Sequence, residues 1–593
     1  ILKTIGPLFL DELRAQADKL VSNPATPVRK LEEFRDSLAA HIFCDPACGA
    51  GNFLLTAYKE LRRIETDLIV AIRQRRGETG MSLNIEWEQK LSIGQFYGFE
   101  LNWWPAKIAE TAMFLVDHQA NKELANAVGR PPQRLPITIT AHIVHGNALA
   151  LDWTEALPKA VGETFIFGNP PFIGQDTRTK QQLEEMKAVW RRKNISRLDY
   201  VTCWHIKSLD LFSTRNGRFA FVTTNSITQG EQVPLLFGPI FAAGWRIRFA
   251  HRTFSWDSDA PGKASVHCVI VGFDRAHEPR PQLWDYPNVS SAPVAVPVER
   301  VINAYLVDGP NVLVQKMTSP ISCEIKPAVL GAMAKDGGGL IVEAQDVQEA
   351  LDDPIAAKYL RPYVGSRELV RGLSRWCLWM VDLDPADVQA STFLRSRIEQ
   401  VRAYRTTSSA PTTRSMAKIP HLFAQRYRPQ TDFLCVPSVV SENRPYFTAA
   451  DIEEGTVVSS LAFAVEDSDR SQFALISSSM FITWQKMIGG RLESRLRFAN
   501  TLTWNTFPVP ELDEKTRKRI IKAGQKVLAA RALHPERSLA EHYNPLAMTP
   551  ELVKAHDALD REVDKAMGAA RKLTSERQRQ ELLFANYAKL TNN

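Results

Sequence analysis

Short apolar runs that stop at turns and alternate with helical stretches constrain the first half of this chain more than any other feature. HIFCD (41–45) reads as a strand, and the glycine-rich turn after it opens a helix, NFLLTAYKELRRIE. QFYGFE (95–100) is a second strand, followed by a helix beginning near Pro105; ITAHIVHG (139–146) and FIFGN (165–169) are the third and fourth. DYVTCWHIKSLDLF reads as a helix, with Val201, Trp204, Ser208 and Leu211 along one side at helical spacing. The turn TRNG leads into RFAFVTT (218–224), and WRIRFAHR (245–252) and HCVIVGF (267–273) close the series. Strands separated regularly by helices predict a doubly wound α/β sheet with ligands at the carboxyl ends of its strands.

That sheet accounts for only part of the chain. At 593 residues the protein is too long for one core, and 44% hydrophobic content suits a globular chain with a sizeable interior. PNVSSAPVAVPVE, after Arg280, is rich in Pro and Ser and reads as a connector, and FPVPEL (507–512) marks a second boundary. The expected division is an α/β domain over 1–280, a linker or crossing segment over 281–358, a mixed α+β region over 359–510 and a helical region over 511–593. Within the mixed region FALISSSMFITWQKMI reads as helical. In the last region Thr549 and Pro550 make an N-cap and first turn, and Leu552, His556, Leu559 and Val563 form one stripe.

Charge and composition narrow the partners. The net charge of +7 is compatible with a polyanion, and two basic clusters are candidates for it: Arg191, Arg192, Lys193 and Arg197, and Arg491, Arg495 and Arg497. Each reads equally as a solvated face. Seven scattered cysteines indicate a reducing cytosol, and no apolar stretch approaches the ~20 residues of a membrane helix. The chain begins at Ile1 without an initiator Met, which reads as an internal fragment.

Chemistry concentrates at the strand ends. In DPACGAGNF (45–53), Gly49 and Gly51 let a ligand approach the backbone, and the helix N-terminus attracts an anionic group. The dinucleotide fingerprint fits poorly, because its third glycine position is Leu54. Asp45, just before the turn, suits a cofactor carrying a cationic amine. Glu100 closes the second strand, where a carboxylate accepts hydrogen bonds from ribose hydroxyls. Asn147 follows the third strand and is placed to read an adenine edge. After the fourth strand come Asn169, Pro170, Pro171 and Phe172. Singly, each of these residues is equally a turn former, a cap or a loop-packing ring; together, at the ends of successive strands, they form a constellation.

D-P-A-C-G-A-G-N-F, Glu100 and N-P-P-F in this order resemble the class I S-adenosylmethionine-dependent DNA amino-methyltransferases in the gamma arrangement, whose target recognition region is C-terminal. HRTFSWDSDAPGKASVHCVIVGF, RPYVGSRELV, SMAKIPHLFAQRYRP, GGRLESRLRFANTLTWNTFPVP and YNPLAMTPELVKAHDALDREVD extend the likeness over nearly the whole chain. They resemble the MmeI-type (type IIL) restriction–modification enzymes, which fuse a nuclease, a helical connector, a methyltransferase, a target recognition domain and a C-terminal helical part. The resemblance implies S-adenosylmethionine held by Asp45, Pro46, Ala47, Gly49, Gly51, Asn52, Phe53, Glu100, Asn147, Ala148 and Asn169. It implies catalysis at adenine N6 by Asn169, Pro170, Pro171 and Phe172, on a base flipped from double-stranded DNA. It also implies a target recognition domain over 359–510, a nuclease and connector upstream of Ile1, and a cytoplasmic location. The sequence departs from the pattern at Asn147, where many such methyltransferases carry an acidic residue, and the family's segment before ILKTIGPLF is not in this chain.

Other signals carry less. PGKAS (261–265) lacks the first glycine and the hydroxyl of a phosphate loop. His41, Cys44 and Cys48 span a strand and its turn with no second ligand pair, so no metal site is expected. His142 and His145 lie along a strand, and no Asp/Glu-x-Lys arrangement forms a nuclease core. The alternative functions are an RNA or protein-glutamine methyltransferase and a non-catalytic DNA-binding specificity module.

Overall fold

The computed structural model describes residues 1–78, 89–128, 141–192, 195–256, 266–276, 278–492 and 494–591. Lys193 and the PGKAS stretch lie outside the described residues. The chain divides into two compact units, one of Ile1–Thr228 with Gln232–Leu313 and one of Gln229–Glu231 with Val314–Asn593.

The first unit is built on a nine-stranded sheet. Its strands are β1 (Ile42–Asp45), β2 (Phe96–Glu100), β3 (His142–His145), β4 (Thr164–Gly168), β5 (Gly217–Thr224), β6 (Arg246–Trp256), β7 (Val266–Asp274), β8 (Gln282–Asp285) and β9 (Val294–Val296). They lie in the order β3-β2-β1-β4-β5-β7-β6-β8-β9. The five from β3 to β5 are mutually parallel, so the loops after β1, β2, β3 and β4 emerge along one edge. The register aligns them closely: Asp45 pairs with Gly98, and Glu100 with His145.

Both faces of this sheet are covered, which is why its central strands are apolar throughout rather than alternating. On one face Phe43 stacks on Phe96 and Phe165, and Phe9 packs against Phe43, Phe165 and Phe167. The helix Asn52–Arg76 closes that side with Leu54, Ala57, Leu61 and Leu68, all fully buried. On the other face Phe219 and Phe273 stack, with Phe212, Trp245 and His205 around them.

β7 inserts antiparallel between β5 and β6. One expectation is corrected here. Residues 281–358 are not a continuous linker, since Gln282–Asp285 and Val294–Val296 extend the sheet beside β6. The Pro- and Ser-rich composition marks the turns between those short edge strands, where a missing N–H costs no ladder bond.

The second unit is α+β, followed by helices. Ala328–Leu330, Ala462–Glu466, Phe433–Pro437 and Ala450–Ile452 form one four-stranded sheet. Ile341–Val342, Trp376–Leu378, Leu360–Val364 and Val457–Val458 form another. Here too the expected linker is structured, because residues from 328–330 and 341–342 enter both sheets. The single helix read in FALISSSMFITWQKMI is two, Ser471–Ile476 and Ser479–Ile488, broken where the Ser478 side chain accepts the Phe481 N–H and caps the second. Beyond Pro510 lie Glu514–Ala532, Pro550–Ala566 and Glu576–Thr591, and the stripe of Leu552, His556, Leu559 and Val563 is fully buried.

Candidate active site

The loops at the parallel edge of the first unit enclose a cavity of about 580 Å³, within the range of small-molecule sites. Pro46 and Ala47 line it after β1, Glu100 and Leu101 after β2, Asn147 and Ala148 after β3, and Asn169 and Pro171 after β4.

The turn after β1 is built for close packing. Gly51 adopts a φ of +87° as it starts the Asn52–Arg76 helix, and a Cβ there would stand 3.1 Å from Ala109 Cβ. Glu100 ties this turn to β2: its Oε2 accepts the Gly49 N–H at 3.1 Å, and its Oε1 accepts the backbone and side-chain N–H groups of Asn102 at 2.8 and 3.1 Å. With about four lone-pair sites on a carboxylate, one acceptor position of Glu100 is left over at the cavity wall.

Asp45 is buried beneath this turn rather than on the cavity wall, and its Oδ1 accepts the Ala47 N–H at 3.0 Å. Burial pushes its carboxyl up to about 7; the charge of Glu100 adds to the shift and the Ala47 N–H opposes it. Phe53 is also buried, 6.3 Å from the Phe167 ring, while Asn52 is exposed at the helix start. The expected cofactor set thus separates into residues that face the cavity (Pro46, Ala47, Glu100, Asn147, Ala148 and Asn169) and residues that shape the turn behind them.

In the loop after β4, Pro170 is buried and Pro171 is exposed. Asn169 Oδ1 is buried and has no hydrogen-bond partner among the described residues. A buried carbonyl oxygen left unpaired costs free energy unless something else supplies the donor. Phe172 is half-buried against the hydrophobic core and is not among the cavity-lining residues. Downstream, the Tyr200 N–H donates to the Ile173 carbonyl at 3.0 Å, and the Trp204 indole N–H donates to the Pro46 carbonyl at 3.0 Å. Tyr200 and the helix Thr202–Leu211 that follows it therefore link the two motif loops.

Asn147 is more engaged than its position in sequence suggested. Its Oδ1 accepts the Leu149 N–H at 2.9 Å, and its Nδ2 donates to Glu185 Oε1 at 3.0 Å. Glu185, Tyr200, Trp204 and Leu101, all on the cavity wall, escaped the sequence reading. Periodicity placed Trp204 on a buried helix side, and periodicity alone does not separate a core face from a cavity face. Leu101, a large apolar side chain next to Glu100, remains 63% exposed, which only the fold reveals.

Of the basic clusters, Arg191 ends the helix Lys180–Trp190 with φ +51° and pairs with Asp210 at 3.0 Å, and Arg192 is exposed. In the second unit Arg495 and Arg497 are exposed on a three-stranded sheet, whereas Arg491 is half-buried and donates to the Ser494 carbonyl at 3.1 Å.

A sheet of this order, with a glycine-rich turn after β1 and Asn-Pro-Pro-Phe after β4, defines a methyltransferase domain. Residues 19–285 match the family model described as the MmeI DNA-methyltransferase domain, 308–511 the MmeI target recognition domain and 512–593 the MmeI C-terminal domain. The chain belongs to the MmeI-type (type IIL) restriction–modification family. Among solved structures it is similar to that of the type IIL enzyme MmeI in complex with DNA, at 37% identity and a TM-score of 0.89, covering all of this chain and 78% of the other. Among curated proteins it is 33% identical to DNA methyltransferase A of Bacillus subtilis (strain 168), over all of this chain and 66% of that protein.

Proposed function

We propose that this chain is a site-specific DNA methyltransferase that moves a methyl group from S-adenosylmethionine to N6 of an adenine flipped out of double-stranded DNA. The observation that carries this reading is the buried, unpartnered Oδ1 of Asn169, beside the turn that joins Asp45, Gly49 and Glu100.

The cavity fits the cofactor in its donor set. Glu100 has an acceptor position left for a ribose hydroxyl, the backbone around Ala47 is open to a ligand, and Leu101 offers an apolar face. When bound, S-adenosylmethionine would supply an electrophilic methyl group on a sulfonium. The amine of adenine is a poor nucleophile, because its lone pair is delocalised into the ring. Asn169 Oδ1 and the Pro170 carbonyl would accept its two hydrogens and so localise that lone pair toward the methyl. The rest is positioning and electrostatic preorganisation, with no covalent enzyme intermediate. Pro171 stiffens the loop, and Phe172, half-buried beside it, offers a ring edge or face to the extruded base.

The second unit, with its match to a target recognition domain, is the part we assign to sequence choice, with Arg495 and Arg497 among its candidate DNA-facing groups. The chain spans 66% of the curated relative, and we assign the nuclease of the family to length outside these residues. Among the described residues no helix is long and apolar enough to cross a membrane.

Incubating the purified chain with methyl-labelled S-adenosylmethionine and, in parallel, duplex DNA, RNA or protein acceptors, then digesting the nucleic acids to nucleosides, tests the reading. Label in N6-methyl-2′-deoxyadenosine supports it. Label in cytosine, in RNA or in protein, or no label in any acceptor, overturns it.

A further inference from the structure

Glu185 and Glu100 are the two carboxylates on the cavity wall, which also presents apolar groups such as Pro46, Phe99, Leu101, Ile173 and Trp204. Glu185 sits on the helix Lys180–Trp190, the first helix after the Asn169–Phe172 loop. Three donors hold it in place. Its Oε1 accepts Asn147 Nδ2 at 3.0 Å and Gln181 Nε2 at 3.1 Å, and its Oε2 accepts the Tyr200 hydroxyl. Burial, and then Glu185 itself, raise the Tyr200 pKa above the ordinary phenol range, so the hydroxyl stays protonated and keeps donating.

The lone-pair inventory is what matters. A carboxylate has about four acceptor sites, so one position on Oε2 stays over after these three bonds. Asn147 is less suited to the same part: it carries no charge, its Oδ1 already accepts the Leu149 N–H, and its Nδ2 is committed to Glu185. At the end of β3 the acceptor facing the cavity is therefore Glu185, and Asn147 serves to aim it.

We propose that Glu185 selects an exocyclic amine on the purine of the cofactor, accepting its N–H at the remaining Oε2 position and repelling a carbonyl in the same place. This rests on S-adenosylmethionine being the cofactor. Within that reading Glu100 faces the ribose and Asn169 the methyl end, which leaves the base to the β3 end of the cavity.

Titration calorimetry of the 593-residue chain with S-adenosyl-L-homocysteine and S-inosyl-L-homocysteine, which differ in that amine, tests it without turnover. The wild type should hold the adenosyl compound roughly tenfold to a hundredfold tighter, the scale of a hydrogen bond to a charged group. Glu185→Gln, whose amide can also donate to a carbonyl, should narrow that preference by about tenfold or reverse it. Equal affinities in the wild type overturn the proposal, and that comparison decides the matter if the variant does not fold. A folded variant that weakens both compounds alike, or keeps the wild-type preference, also overturns it by reducing Glu185 to a structural group. Binding of neither compound by the wild type is a different result, and removes the cofactor reading itself.

Discussion

Gly168 and Asp45 end adjacent parallel strands, and the glycine packs so tightly on the carboxylate that a Cβ would stand 2.9 Å from Asp45 Cγ. The residue before Asn169 is thus shaped by the residue before the glycine-rich turn. The two residues are 123 positions apart in the chain by their numbering, yet form one packed object.

Gly168→Ala should therefore disturb both loops. The added methyl has to displace the Asp45 carboxylate from the Ala47 N–H, and overpacking of this kind costs about 1–3 kcal/mol. Urea unfolding should show that loss. In an Asp45→Ala background the same change should cost clearly less, because the obstruction is gone. Equal costs in both backgrounds would mean that Gly168 is required for some other reason.

Asn169→Ala should abolish most methyl transfer while leaving cofactor binding close to wild type. The side-chain oxygen acts on the amine of the target base, and preorganised polar groups of this kind are worth ~10²–10³ in rate. Single-turnover transfer rates and calorimetry on the same preparations separate the two effects. Near-normal transfer by the variant would sink the assignment.

Buried histidines should contribute a loss of stability in mild acid. His205 is fully buried among Phe219, Phe221 and Phe273, and burial lowers its pKa to about 4, against a smaller opposing effect of the Val201 carbonyl. Below its ordinary value of 6.5 the unfolded chain takes up a proton that the folded chain refuses, so stability present at pH 7 falls as pH drops toward 4. His251 and His556, each lowered to about 3 by burial, act in the same direction. Asp45, raised to about 7, and Asp467 and Asp560, each raised to about 6 by burial, act in the opposite one, because the folded state holds their protons more tightly above 3.8. Between pH 6.5 and 5 the His205 contribution is on the order of 2 kcal/mol, and His205→Phe should flatten the fall in unfolding free energy by that amount. Identical pH slopes for the two proteins would refute this.

Exchange of the recognition region with that of a relative should depend on where the cut is made. A graft of residues 359–510 separates Ala328–Leu330 from Ala462–Glu466, and Ile341–Val342 from Trp376–Leu378, leaving each strand paired with a foreign partner. A graft of 314–511 keeps those pairs from one parent. We expect the longer graft to stay folded by size-exclusion chromatography and to methylate a new DNA sequence at the same atom. A stable shorter graft with changed specificity would show that those strand pairs tolerate mismatch.

What the amino-acid order determined by itself was local: strand runs such as Phe165–Phe167, the glycine turn after Asp45, the proline stop after Asn169 and the buried stripe from Leu552 to Val563. These follow from periodicity and backbone freedom, which act over a few residues, and the likeness to a known family rests on the same short stretches. Tertiary structure decided whatever depends on partners distant in sequence. It placed β7 between β5 and β6, and recruited Gln282–Asp285 and Val294–Val296 as edge strands from a stretch whose composition reads as a connector. It put Asp45 beneath the turn rather than in the cavity, and turned Asn147 toward Glu185. Burial, and the partner left for a polar atom after its neighbours have been satisfied, are properties of the packed chain. That is why Asn169 could be named from the sequence, while the solitude of its oxygen became visible only in the fold.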